Sequence, residues 1–196
     1  MTLPTADVLA AVDADIDGSL ERLFDWLRIP SISTDPAYKA DVERAADWAV
    51  KELSGLGFTG GKRQTPGHPM IVMHHPGPNT GGAKSAPHIL YYGHYDVQPP
   101  EPLELWDAPP FEPQLIDAER GKRIVARGAV DDKGQVMTWL ESLRAWHKVN
   151  GAPPCEVTVL LEGEEETGSP NLEPFLEANA EELSRPDVAI VCDTPM

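Results

Sequence analysis

The sequence is short of bases. Lysine and arginine number 16 against 32 aspartates and glutamates, a formal net charge of −16 over 196 residues. A surface of that sign argues against nucleic acid and against an anionic membrane as partners. Cysteine is scarce as well. Cys155 and Cys192 lie in or beside apolar runs, which fits buried thiols in a reducing compartment and forces no disulfide. No apolar stretch approaches the length needed to cross a bilayer. The opening MTLPTADVLAAVDADIDGSLERL places acids early and has no apolar centre flanked by bases, so it does not read as a secretory signal. Internal repeats and long low-complexity tracts are missing too. These absences set the expectation of a soluble, cytoplasmic protein. A hydrophobic content of 41% is enough for one domain with its own core.

What is present alternates between two periodicities. Apolar residues at helical spacing run over 6–28 (Val8, Leu9, Val12, Ile16, Leu20, Leu23, Phe24, Leu27) and stop at Ile29-Pro30. A second helix is expected over 37–55, a third over 136–149 and a fourth over 171–183. Short β-like runs occur at 70–73, 89–92, 123–126, 156–161 and 188–192. Segment 76–87 reads as a surface loop, and 97–122 as proline-rich and irregular. Strands alternating with helices predict an α/β layered fold, a largely parallel central sheet flanked by helices.

The chemistry gathers where strands end. In YYGHYDVQPP, His94 and Asp96 sit two apart, so in an extended chain they share a side. A carboxylate that close can hold one imidazole nitrogen while the other faces outward, as metal-binding histidines require. A satisfied histidine at a strand end would look the same. Three further stretches occupy comparable positions: RGAVDDKG with Asp131 and Asp132, LEGEEETGS with Glu164 to Glu166, and CDTP with Asp193. Each has an ordinary reading, as a helix N-cap, as acids before a helix, or as a turn residue. Four such coincidences at four successive strand ends call for one explanation. In open α/β sheets ligands bind at the carboxyl ends of strands. Carboxylates crowded there resist ionisation unless a multivalent cation relieves the repulsion. One histidine with several carboxylates suits zinc, manganese or cobalt.

The stretches GHYDVQP, GAVDDKGQ, EGEEETGS and CDTP resemble, in order and spacing, the metal-binding motifs of the carnosinase, acetylornithine deacetylase and succinyl-diaminopimelate desuccinylase family. Asp131 follows His94 by 37 residues, Glu165 follows Asp131 by 34, and Asp193 follows Glu166 by 27. LRIPSIS at 27–33, Trp106-Asp107 and Pro110-Phe111 are also similar, and the likeness runs from about residue 24 onward. The resemblance implies metallopeptidases or deacylases with two divalent metal ions, zinc foremost, with manganese or cobalt as substitutes. It implies that His94 binds the first metal and that Asp96 orients His94. Asp131 would bridge both metals, with a cis peptide often following it. Glu165 would be the general base, Glu166 a ligand of the second metal, and Asp193 would complete the first. Glu164 would be a bystander, and His68, His74, His75, His88 and His147 match no ligand position. Within the family so resembled, aspartate at 193 and the GHYDVQP form go with dipeptidases and aminopeptidases, which implies a small peptide substrate.

The family also carries a later histidine on the second metal and an inserted lid domain that dimerises. Neither is found in these 196 residues, which leaves Asp131 and Glu166 alone on the second metal. Residues 1–196 are therefore expected to be the N-terminal part of the catalytic domain. The lid and the C-terminal part of that domain would lie elsewhere, and the full-length enzyme would be a homodimer through the lid. The isolated chain is expected to bind the second metal weakly and to turn over little. An N-acyl amino acid deacylase of the same family, or a non-catalytic acidic metal-binding domain, are the alternatives. The general base at Glu165 weighs against the latter.

Overall fold

A computed structural model of the chain describes residues 3–78 and 87–193. In chain order the strands are β1 (Thr59–Arg63), β2 (Met70–His75), β3 (His88–His94), β4 (Gln114–Ala118), β5 (Gly121–Val125), β6 (Glu156–Glu162) and β7 (Val188–Val191). Five form a central sheet in the order β1-β2-β6-β3-β7. β6, β3 and β7 pair in parallel, and β2 is antiparallel to both of its neighbours. Four of the five strands thus run in one direction, as the alternating pattern predicts.

The helices are α1 (Thr5–Asp13), α2 (Ile16–Leu27), α3 (Lys39–Gly55), α4 (Lys133–Asn150), α5 (Leu172–Ala178) and α6 (Ala180–Leu183). They cover both faces of the sheet. Ile71, Met73, Tyr91, Val157, Val159 and Leu161 face a large core with α2, α3 and α4, while Met70, Val72 and Leu160 face Phe175 and Leu183 on the other side. Burial on both faces is why β2 and β6 read as continuous apolar runs rather than as alternation. Among the described residues no helix is long and apolar enough to cross a membrane. Cys155 and Cys192 are both free.

Several elements depart from expectation. The helix expected over 6–28 is two helices, because the chain turns at Ala14-Asp15 and the Asp15 carboxylate is held by Arg22 at 2.7 Å. The helix over 171–183 is likewise divided at Asn179. β1, with the sequence TGGKR, has no apolar signal and is formed by its pairing with β2. The segment read as irregular contains β4. It pairs with β5 in a separate two-stranded sheet, so the strand at 123–126 is not part of the central one. Consequently three central strand ends, not four, reach the site, and Asp131 arrives on the loop that enters α4. Part of the expected loop at 76–87 and the Thr194-Pro195 end of CDTP lie outside the described residues.

Helix α4 is fixed to α2 by ion pairing. Arg22 donates to both Glu141 oxygens, from Nε at 2.9 Å and Nη2 at 2.6 Å, and Ser19 Oγ adds a bond at 3.0 Å. Burial would raise the Glu141 pKa, but the Arg22 hydrogen bonds outweigh it and hold it below the usual range. A depressed carboxylate pKa contributes stability above the unfolded value near 4.5, and the contribution is lost as pH falls through the folded pKa. Arg22→Gln is therefore expected to cost about 1–3 kcal/mol at pH 7. In denaturant melts the gap from the parent should close on acidification below about pH 4.5. A gap that stays constant with pH would show that Glu141 does not couple to folding.

Candidate metal centre

Strands β3, β6 and β7 run in parallel, so His94, the acids after Glu162, and Asp193 emerge at one edge of the sheet. The fourth contributor, Asp131, is brought there because α4 starts against β3. Gly93 and Gly134 permit that approach. A Cβ at Gly93 would stand 2.7 Å from both Asp132 Oδ2 and Val136 Cγ2, and one at Gly134 would collide with the Ala129 carbonyl. Lys133 anchors the same turn from below. Its fully buried ammonium donates to the carbonyls of Trp26 at 3.1 Å and Ile29 at 2.7 Å, at the end of α2. Burial pushes its pKa down to about 7. The peptide between Asp131 and Asp132 is cis, as the resemblance implies.

His94 is the hub and is fully buried. Nδ1 faces Asp96, whose backbone oxygen is 3.1 Å away and whose Oδ1 is 3.2 Å away. Nε2 faces Asp131 Oδ1 at 2.9 Å, and Glu165 Oε2 and Asp193 Oδ2 each at 3.9 Å. Donor atoms of His94, Asp131 and Glu166 lie within 4.8 Å of one another, and so do those of His94, Glu165 and Asp193. All six residues singled out in the sequence are thus brought together. The grouping differs from the implied roles in two respects: Glu165 stands among the ligand positions, level with Asp193, and Glu166 rather than Asp193 groups with His94 and Asp131.

Asp96 is braced from several directions. Ser33 Oγ donates to its Oδ2 at 2.6 Å, and the Glu166 and Glu165 amides donate to Oδ2 and Oδ1 at 3.1 and 3.3 Å. Ser31 Oγ donates to the Tyr95 carbonyl, and Ile32 makes a parallel bridge to Val97. The IPSIS segment therefore serves as a splint for the His94–Asp96 turn.

Three further acids were not foreseen in their roles. Asp132 occupies the N-cap position of α4 yet makes no cap bond. It turns inward, and its Oδ2 accepts from the His94 amide at 3.0 Å. Burial raises its pKa to about 7. Glu162, fully buried, accepts from the Tyr92 hydroxyl and from Ser169 Oγ at 2.9 Å. Glu164 is buried and accepts from Asn171 Nδ2 at 2.7 Å, so it is a structural residue of the loop. Only the run of acids in EGEEETGS hinted at either glutamate.

The field at this edge is strongly negative. Burial alone would lower the His94 pKa, but the Asp96 hydrogen bond and the charges of Asp96, Asp132 and Asp131 push it up to about 10. Burial, followed by neighbouring carboxylates, raises both Glu165 and Glu166. Lys133, the base nearest in sequence, points its ammonium away. Glu166 Oε1 is buried without a hydrogen-bond partner. An unpartnered buried carboxylate oxygen among acids and one imidazole fits hard to borderline divalent cations.

Fold and donor set together place a site suited to divalent cations at the carboxyl edge of an α/β sheet. A sequence model of Peptidase family M20/M25/M40 matches residues 90–196, more than half of the chain, and the chain belongs to that family. It is 31% identical over 189 residues to the Cys-Gly metallodipeptidase dug1 of Schizosaccharomyces pombe, covering 93% of this chain and 39% of that protein. The solved structure of the dipeptidase Dug1p from Saccharomyces cerevisiae superposes with a TM-score of 0.82 at 26% identity, covering 99% of this chain and 42% of that one. Human carnosine dipeptidase 1 gives a TM-score of 0.84 at 26% identity, covering 97% and 41%. The chain thus spans about two fifths of the length of these relatives.

Proposed function

We propose that this chain is the N-terminal part of the catalytic domain of a dipeptidase that hydrolyses a peptide bond in dipeptides or short peptides at a two-metal centre. The observation that carries this reading is the convergence of Asp131, Glu165, Glu166 and Asp193 around His94. His94, Asp131 and Asp193 would hold one divalent cation, and Asp131 with Glu166 the other; zinc is the first choice, and manganese or cobalt are substitutes. Cations held there supply Lewis acidity toward a peptide carbonyl and toward water.

The chain's own residues then have distinct tasks. Asp96 fixes the His94 ring through Nδ1 and leaves Nε2 facing the site. Glu165, half-exposed at the mouth, takes a proton from water at its carboxylate and returns it to the leaving amine. Both directions need a pKa above that of an ordinary carboxylate, and burial with nearby acids raises it. Asp131, which lies against His94 and close to Glu166, would serve both cations. Relatives named as Cys-Gly and Beta-Ala-His dipeptidases support a free-amine dipeptide over an N-acyl amino acid. In the cell we place the enzyme in the cytoplasm, as a homodimer through a lid outside these residues. Taken alone, the 196-residue chain should bind its second metal weakly and turn over little.

A substrate panel on the full-length protein tests the reading. Free-amine dipeptides are expected to be cleaved at least tenfold faster than N-acyl amino acids at equal concentration. The reverse order would make the protein a deacylase, and hydrolysis of neither would remove the proposal.

A further inference from the structure

At the far end of the same sheet, three strands bring together His74 of β2, His88 of β3 and Glu156 of β6. His74 lies across from Thr158 and His88 across from Glu156. The two rings make an edge-on pair with centroids 5.7 Å apart. His74 Nδ1 and His88 Nε2 both reach the Thr158 hydroxyl, at 3.2 and 2.8 Å. The remaining nitrogens, His74 Nε2 and His88 Nδ1, converge on one oxygen, Glu156 Oε1, at 3.7 and 3.6 Å.

Two features separate this arrangement from an ordinary polar patch. The first is spacing. These distances are too long for hydrogen bonds, yet donors that stand 2.0–2.1 Å from a tetrahedral zinc lie about 3.3 Å apart. The second is the disposition of protons. A hydroxyl oxygen has two lone pairs, so both rings can donate their N–H to Thr158. Their inward nitrogens are then bare acceptors that face a carboxylate, a set that repels itself until a cation lies between. A partner on the outer nitrogen is what fixes the tautomer and orientation of a metal-binding histidine. Two imidazoles and one carboxylate form a three-ligand zinc set with an open fourth position. A groove of about 370 Å³, lined among others by Thr59, Arg63, Val72 and Glu182, gives that position room for water.

We propose that His74, His88 and Glu156 form a second, separate site for a zinc-class divalent cation, with Thr158 orienting both imidazoles. His94 lies six residue steps along β3 from His88, about 20 Å at ~3.3 Å per residue, so the site shares no ligand with the strand-end centre. A cation there would clip β2, β6 and β3 together at the end of the sheet remote from the catalytic residues.

The test is zinc stoichiometry of the full chain by equilibrium dialysis and elemental analysis, in the parent and in an Asp131→Ala background. In both, adding His74→Ala and His88→Ala is expected to remove one zinc equivalent, with circular dichroism confirming the fold. The comparison is a difference, so it reads this site whether or not the strand-end centre holds metal. Thr158→Val keeps strand and volume and is expected to weaken zinc binding at this site about 10–100-fold. Unchanged stoichiometry in the folded double variant overturns the proposal. Should that variant fail to fold, zinc-edge anomalous diffraction on crystals of the unaltered chain decides. A peak between His74 and His88 supports the site, and none at saturating zinc overturns it.

Discussion

Glu165→Ala in the full-length enzyme is expected to lower kcat by about 10²–10⁴-fold while the metal content stays unchanged, the range general acid–base groups contribute. The expectation rests on position and environment together. Glu165 Oε2 is 3.9 Å from His94 Nε2, close enough to act on water at the site, and it leaves the shorter contact to Asp131. Its pKa is raised by burial first and then by Asp193, Asp96 and Asp131, with His94 opposing. A base so tuned can also give the proton back to a leaving amine. Because Glu165 stands level with Asp193, the same variant also separates two roles. Loss of turnover with metals retained identifies a base, whereas loss of a metal equivalent identifies a ligand. Turnover equal to the parent's would refute both.

The second large effect is on stability. Lys133→Ala is expected to cost about 3–5 kcal/mol, from two buried hydrogen bonds and the cavity left behind. Lys133 is fully buried, donates to the Trp26 and Ile29 carbonyls, and lies over the Trp26 ring at 5.7 Å. A cation at that place also complements the carboxyl end of α2. Lys133→Met fills most of the space and removes the burial cost of an ammonium, so it should cost about 1–3 kcal/mol, the share of the hydrogen bonds. Denaturant unfolding of both variants checks this, and an Ala variant within about 1 kcal/mol of the parent would show the anchor to be dispensable. The consequence reaches function because Lys133 follows directly on Asp131 and Asp132.

How much of this the sequence discloses depends on whether the signal is local. His94 and Asp96 are legible because an extended chain has period two, and their 3.2 Å contact follows from it. β2 and β6 are legible because sheet strands buried on both faces leave continuous apolar runs. β1 is illegible since its TGGKR carries no pattern and exists by pairing alone. The β4–β5 hairpin is hidden because its strands are weak and exposed, so the apolar signal at 123–126 does not distinguish it from a central strand, and Asp131 is carried instead by the loop that enters α4. Asp132 looks like an ordinary cap until α4 is seen to press it onto the His94 amide, a contact across 38 residues. The His74–His88–Glu156 cluster escapes for the same reason, since only strand register aligns three positions so distant in the chain.

Metal binding at the His94 edge is tested by elemental analysis of the purified full chain beside its Asp131→Ala variant. Divalent metal bound at the His94 edge is expected to be lost on that substitution, leaving at most one equivalent at the proposed His74–His88 site. Equal metal content in the two proteins would contradict the role of Asp131 and, with it, the metal centre on which the proposed hydrolysis depends.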